Sequence, residues 1–346
     1  MLQPLIEESK VKAVRKLLEE NDRIVITCHM SPDGDAVGSS LGLMHTLSKL
    51  GKDVHVVTPD RIPDTLRCLP GSKEIVPYSK YTDFASKLLK EAEVIFCLDF
   101  NALYRVDRMC EALAEAPGKK VLVDHHENPE DFADITISYP KQSSTCALLF
   151  RLLCRLELFG MIGRKAATCI YTGMMTDTGN FSYNSNDPDL YVIIAELIKK
   201  GINKDEIYKK VMDTKNLNVL KLHSYAIANM RVFEDQKAAL ITLSADELKR
   251  FNYRKGDTEG LVNVPLSIPG IIYSVFLRDD EKEIKVSSRS KGDFRVNDIC
   301  ERYFNGGGHV NASGGELQCT LDEAVEIFMS TLPEVEKYLL NQLKQK

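Results

Sequence analysis

The chain has 346 residues, 44% hydrophobic and 27% charged, which is enough for two hydrophobic cores and ordinary for a globular protein. Its formal charge of -5 argues against a protein that coats long nucleic acid, because such binding draws on many phosphate contacts from a basic surface; a small phosphorylated ligand held by a few local cations remains open. The nine cysteines are odd in number and form no CxxC pair, and Cys28, Cys97, Cys146, Cys154 and Cys169 lie in apolar segments, the pattern of reduced thiols in a cytoplasm.

The opening "MLQPLIEESKVKAVRKLLEEND" carries an amphipathic helix pattern with acidic residues and no apolar h-region. Nowhere do 18 apolar residues run together, so a soluble cytoplasmic protein with no export signal and no membrane partner is expected. Short β-rich runs then predict strands over 23–29, 53–59, 93–100, 120–126 and 134–140, with a helix over 35–51 ended by Gly51. This alternation predicts an α/β domain with a parallel sheet. Helical patterns follow over 144–160, 164–179 and 187–201, then a mainly polar helical run over 203–230 that reads as a connection. Beyond it come strands over 237–244, 270–279 and 283–290, a helix over 296–304 and a closing helix from Leu321. The pattern changes near residue 215. The expected division is a first domain over 1–200, a helical linker over 201–230 and a smaller mixed α/β domain over 231–346.

In parallel sheets ligands collect at the carboxyl ends of the strands. The first strand runs into "HMSPDGDAVGSS", which offers His29, Asp33 and Asp35, with Pro32 and Gly34 forcing a tight turn and Gly38 read as a point of close backbone approach. The third strand ends at Asp99, and the fourth at Asp124, His125 and His126. "GMMTDTGNFSY" adds Asp177 at the end of a helical run. Neighbouring side chains on a strand point to opposite faces, so the two histidines serve one point only if the strand ends there. Carboxylates crowded on one rim repel one another unless cations neutralise them. A mixed carboxylate and imidazole set suits manganese or a similar divalent ion, and two ions about 3.5 to 4 Å apart sharing a carboxylate form the clamp of phosphoester hydrolysis. A lone Asp-Gly turn usually means only a turn, but three strand ends and a fourth segment outweigh that reading. His45, His55 and His223 read as core or surface histidines, and Asp107, Asp131 and Asp187 as solvated or capping residues. Later in the chain, Gly306, Gly307 and Gly308 read as a nest of backbone N–H groups suited to an anion, with Arg289 and His309 adding charge. Taken alone, these residues fit a flexible glycine loop better.

"HMSPDGDAVGS", the isolated Asp99, "VDHH", "TDTGNF", "SSRS" and "FNGGGHVNASGG" together resemble the DHH superfamily of phosphoesterases. The likeness is closest to its two-domain bacterial nano-RNase and pAp phosphatase type, and it runs from about residue 20 to residue 320. It implies an N-terminal parallel-sheet DHH domain with flanking helices and a C-terminal DHH-associated domain that binds substrate. It implies two manganese ions, with magnesium or cobalt as substitutes, one held by His29, Asp33 and Asp99 and the other by Asp35, Asp99, His125 and Asp177. His126 then lies beside the scissile phosphate, and Asp124 orients a histidine. Arg289, Gly306, Gly307, Gly308 and His309 take the far end of the substrate, with Asn305 standing where the family usually has a fourth glycine.

The activity so implied is hydrolysis of short oligoribonucleotides or 3′-phosphoadenosine 5′-phosphate by water activated between two metals. The partner is then short RNA or a small nucleotide, not long DNA, and a homodimer stays open. A cyclic di-AMP or pApA phosphodiesterase would use the same metals and is the first alternative. Exopolyphosphatase or pyrophosphatase ranks below it. A non-catalytic nucleotide sensor comes last, since a sensor has no need of a bridging Asp99.

Overall fold

The computed structural model describes residues 4–214 and 216–344, and the chain parts into two compact units between Thr214 and Lys215. The first unit holds strands β1 (Arg23–Cys28), β2 (Asp53–Thr58), β3 (Val76–Pro77), β4 (Val94–Leu98), β5 (Lys119–Asp124) and β6 (Ile135–Ser138). Its helices are α1 (Glu8–Glu20), α2 (Gly34–Ser48), α3 (Thr82–Glu91), α4 (Cys110–Glu115), α5 (Thr145–Arg155), α6 (Arg164–Asp177), α7 (Pro188–Lys199) and α8 (Lys204–Val211). The sheet is wholly parallel in the order β3-β2-β1-β4-β5-β6.

Alternate residues of the central strands serve two cores. Ile24, Ile26, Phe96, Leu98, Val121 and Val123 pack with buried residues of α2, α5 and α6, whereas Val25, Ile95, Cys97 and Leu122 pack with residues of α3 and α4. Burial on both faces is why these strands read as unbroken apolar runs. The chain leaves β1 toward β2 and leaves β4 toward β5, on opposite sides of the sheet, so a crevice opens between the carboxyl ends of β1 and β4.

Helix α2 begins at that crevice and lies tightly against α6. Gly34, Gly38 and Gly42 form a stripe on α2, and a Cβ on Gly38 would stand 2.5 Å from the Cys169 carbonyl oxygen. Gly38 is thus a point of close backbone approach, as read from the sequence, and the backbone it meets is that of α6. The close approach brings Asp35, in the first turn of α2, to the end of α6 where Asp177 stands. Among the described residues, no helix is long and apolar enough to cross a membrane.

The second unit contains α9 (Leu217–Ala228), β7 (Arg231–Phe233), β8 (Ala238–Leu243), α10 (Ala245–Arg250), β9 (Tyr273–Asp279), β10 (Ile284–Ser290), α11 (Val296–Tyr303), β11 (Gly306–His309), β12 (Ala312–Leu317) and α12 (Leu321–Lys344). Its sheet runs β11-β12-β10-β9-β8-β7 and is mixed, with β8 and β9 parallel and the other pairs antiparallel. Residues of α11 and α12 share one core with the sheet, and residues of α9 and α10 share another.

Two readings of this half need correction. The run 203–230 is not one connecting helix. Helix α8 buries Ile207 and Val211 in the first unit's core, and α9 starts afresh from Asn216, whose side chain accepts from the Val219 N–H. The glycine run is not a nest but an extended edge strand, with Gly306 opposite Gly315 and Gly307 opposite Gly314. A Cβ on Gly306 would collide with the Gly314 carbonyl, so the strands approach only because side chains are missing.

Candidate metal centre

Four segments deliver the rim residues. His29 follows β1, and its Nδ1 lies 2.7 Å from the Met30 carbonyl oxygen, so the neutral ring keeps its hydrogen there. Its Nε2 points at Asp33 Oδ2, 3.8 Å away, and Asp99 Oδ2, 3.6 Å away. Asp33 caps α2, its Oδ1 accepting from the N–H groups of Asp35 and Ala36. That leaves Oδ2 on the side of His29.

Asp99 follows β4 with φ +65, a left-handed conformation rare outside glycine and held here by surrounding contacts. Its N–H donates to the Val123 carbonyl, and its Oδ1 accepts from Thr145 Oγ1 at 2.9 Å. That same Oδ1 is 3.6 Å from His125 Nε2. The two oxygens of one carboxylate thus face two different imidazoles.

His125 stands just past β5, with Nδ1 3.2 Å from the Gln142 carbonyl oxygen and Nε2 3.9 Å from Asp35 Oδ2 and 3.6 Å from Asp177 Oδ2. The rings of His125 and His126 are inclined at 70°, so the adjacent histidines present different edges. His126 Nδ1 lies 2.7 Å from Oδ1 of the fully buried Asp124. Asp35 is fixed by the first turn of α5: Thr145 N–H donates to Oδ2 at 2.6 Å and Cys146 N–H to Oδ1 at 2.9 Å, where the helix dipole favours negative charge. Potential ligand atoms gather within 4.8 Å of one another in the sets His29, Asp33 and Asp99; Asp35, His125 and Asp177; and Asp99, Asp124 and His126.

No lysine or arginine relieves this crowding among the described residues; the ion pairs of Asp33, Asp35, Asp99 and Asp177 all run to histidines. Burial, and then the charges of Asp99 and Asp177, hold the Asp35 carboxyl well above the usual range. Burial also lifts Asp177 to about 7, against the pull of His125. Burial opposes ionisation of Asp99 too, but His29, His126 and His125 outweigh it and keep this carboxylate below its ordinary range. For His29, burial disfavours the cation, yet Asp33 and Asp99 carry its pKa to about 10; for His125, Asp177, Asp99 and Asp35 do the same to about 9. Protons here stand where cations would be more effective. A donor set of imidazole nitrogens and carboxylate oxygens, with no thiolate in any of these sets, fits divalent ions of the manganese and magnesium kind.

The substrate residues expected from the second half lie together in its sheet. Arg289 on β10 and His309 on β11 are both opposite Ala312, one on each side of β12, so their backbones are roughly 10 Å apart. Arg289 donates from Nη1 to the Ser288 carbonyl at 2.9 Å. Asn305, in the place of a fourth glycine, takes φ +48, which asparagine tolerates better than most residues.

Sequence reasoning missed Thr145, Cys146 and Gln142. The "SST" before an apolar run is a helix-start signal, and Ser144 does cap α5 by accepting from Ala147 N–H. Nothing in that signal names Asp35, 110 positions away, as the partner of Thr145.

A family model described as the DHH family, N-terminal domain matches residues 23–174, and one described as the DHHA1 domain matches residues 235–334. The solved structure of an exopolyphosphatase-related protein from Bacteroides fragilis is 50% identical, covers 98% of this chain and 99% of that one, and superposes with a TM-score of 0.96. The bifunctional oligoribonuclease and PAP phosphatase NrnA of Thermus thermophilus is 30% identical over 94% of each chain. Its namesake from Bacillus subtilis is 28% identical, over 88% of this chain and 92% of its own.

Proposed function

This chain belongs to the DHH/DHHA1 phosphoesterases, and we propose that it hydrolyses short oligoribonucleotides and 3′-phosphoadenosine 5′-phosphate with two divalent metal ions, manganese by preference. His29, Asp33 and Asp99 would hold one ion, and Asp35, Asp99, His125 and Asp177 the other. The observation that carries this is Asp99, whose Oδ2 and Oδ1 each lie 3.6 Å from the Nε2 of a different histidine. When bound, two such ions neutralise the carboxylates, polarise a phosphoryl group and make water acidic enough to attack near neutral pH.

The chain's own part is positioning and proton control. Hydrogen bonds donated by the Nδ1–H groups of His29 and His125 to the Met30 and Gln142 carbonyls turn both Nε2 lone pairs inward. Asp124 holds the hydrogen of His126 on Nδ1, so Nε2 is the atom that would take a proton from solvent and, from the imidazolium so formed, give it to a phosphate oxygen or leaving group. In the second unit, Arg289, His309 and the glycine strand would recognise the end of the substrate away from the scissile bond, which sets chain length and terminal-phosphate preference.

Polyphosphate is the substrate suggested instead by the name of the half-identical Bacteroides fragilis relative. A panel with manganese separates these readings: an RNA dinucleotide, longer RNA, 3′-phosphoadenosine 5′-phosphate, cyclic di-AMP and polyphosphate, each repeated with chelator. Chelator-sensitive turnover of the dinucleotide and the bisphosphate is expected. Turnover confined to polyphosphate or cyclic di-AMP would replace the proposal.

A further inference from the structure

The entry to α5 holds three of the rim residues at once. Within Gln142–Cys146, a carbonyl accepts from or abuts His125 Nδ1, two N–H groups donate to the two oxygens of Asp35, and one hydroxyl donates to Asp99. Thr145 alone touches two carboxylates, Asp35 through its N–H at 2.6 Å and Asp99 through Oγ1 at 2.9 Å. It is fully buried. Its hydroxyl meets Asp99 at Oδ1, the oxygen on the His125 side, and not at Oδ2, the oxygen on the His29 side.

From this asymmetry we infer that Thr145 is a positioning residue that aims Asp99 Oδ1 into the second ligand set, Asp35, His125 and Asp177. The inference rests on the two-metal reading above. Asp99 sits in a left-handed backbone conformation at a strand end, so its carboxylate plane is not set by regular strand geometry. A swing of Oδ1 away from His125 would keep the charge in the site but spoil its direction toward the second set, while Oδ2 stays on the side of His29. The Thr145 hydroxyl opposes this at one oxygen, while the backbone N–H of the same residue holds Asp35 at a fixed place beside it. Thr145 would not touch substrate. It would act through Asp99, and its loss should be felt at the second metal before the first.

The test uses the full chain and manganese alone, without substrate. Binding is followed by titration calorimetry and by the electron paramagnetic resonance of the ion in wild type, Thr145→Val, Thr145→Ser and, as a marker for the second set, Asp177→Asn. Valine keeps the shape and the N–H to Asp35 while removing the hydroxyl. The Val variant should weaken, by about 10- to 100-fold, the same binding step that Asp177→Asn weakens, leave the other step within about threefold, and be restored by Ser. Wild type that binds no manganese would sink the two-metal reading itself. Wild type that binds two ions, with Val unchanged, with both steps equally weakened, or with Ser no better than Val, would overturn the role of Thr145 alone. If the Val chain does not fold by circular dichroism, Thr145→Ala takes its place, and loss of fold in both would make the residue structural and end the proposal.

Discussion

His126 holds its Nδ1 2.7 Å from Oδ1 of Asp124, two positions earlier, while its own N–H donates to the other oxygen of that carboxylate at 3.1 Å. Both contacts come from the chain turning as β5 ends. The pair lies on the rim and Asp124 is wholly buried, so the imidazole is oriented by a group substrate cannot reach. Asp124→Asn keeps the size of that group but replaces one acceptor with a donor, which disfavours the tautomer protonated on Nδ1. Turnover of an RNA dinucleotide should fall by about 10- to 100-fold with manganese content unchanged. Steady-state kinetics beside metal analysis checks this, and an unaltered kcat would remove His126 from proton transfer.

Asp99→Asn should be more severe and of another kind. One carboxylate faces both imidazole Nε2 atoms, so an amide there leaves each cation less neutralised and offers one oxygen where two are needed. Turnover is expected to fall by about 1,000-fold or more, with weaker occupancy of both metal positions and an unchanged circular dichroism spectrum. Normal metal content with near-normal rate would contradict a bridging role.

The metal-free protein should lose stability as pH rises. His125 at about 9 and His29 at about 10 lie above the ordinary histidine value of 6.5, so each binds its proton more tightly in the folded chain. Their contribution is complete below 6.5 and disappears as pH climbs through 9 to 10. Asp177, raised to about 7, acts in the same direction between the usual carboxylate range and 7. The unfolding midpoint in chelator should therefore decline from about pH 5 to pH 10. Manganese, which takes the place of those protons, should flatten the decline and release protons on binding, seen as calorimetric heats that vary with buffer ionisation enthalpy. A flat profile in chelator would mean the imidazoles are not held charged by their neighbours.

The rim was legible because each of its strands is a short apolar run that stops at a charged residue, and such a stop needs a reason. The parallel sheet followed from the same runs. What joined the four segments into two sets was the resemblance, since no local pattern says that Asp99 faces His29 with one oxygen and His125 with the other. The anchoring of Asp35 by Thr145 and Cys146 was hidden because backbone N–H groups leave no mark in a sequence. Gly38 reads as a point of close backbone approach, but nothing local to it names the partner, the backbone of α6 at Cys169 and Gly173. Helices α3 and α4 went unread, although Ala85, Leu89 and Leu113 bury their faces, because both are short and the stretch between them carries no strong start or stop.

The glycine run offers the sharpest contrast between reading and structure. As a nest, its three glycines would have similar duties, exposing N–H groups to an anion. As an edge strand they differ. A Cβ on Gly306 runs into the carbonyl of Gly314 on the paired strand, whereas a Cβ on Gly307 meets nothing within 4 Å. Gly306→Ala should cost the second unit about 1–3 kcal/mol by forcing β11 away from β12, and Gly307→Ala should stay within about 0.5 kcal/mol of wild type. Urea unfolding of the full chain, followed by tyrosine fluorescence and by circular dichroism, compares the two. Activity adds a second axis: Gly307→Ala places a methyl group on the exposed side of the strand, so any loss of nucleotide turnover there, with stability intact, would come from obstruction of a ligand. Equal destabilisation by both substitutions would mean that the run is held by something other than its close pairing with β12, and the strand assignment of its role would have to be abandoned.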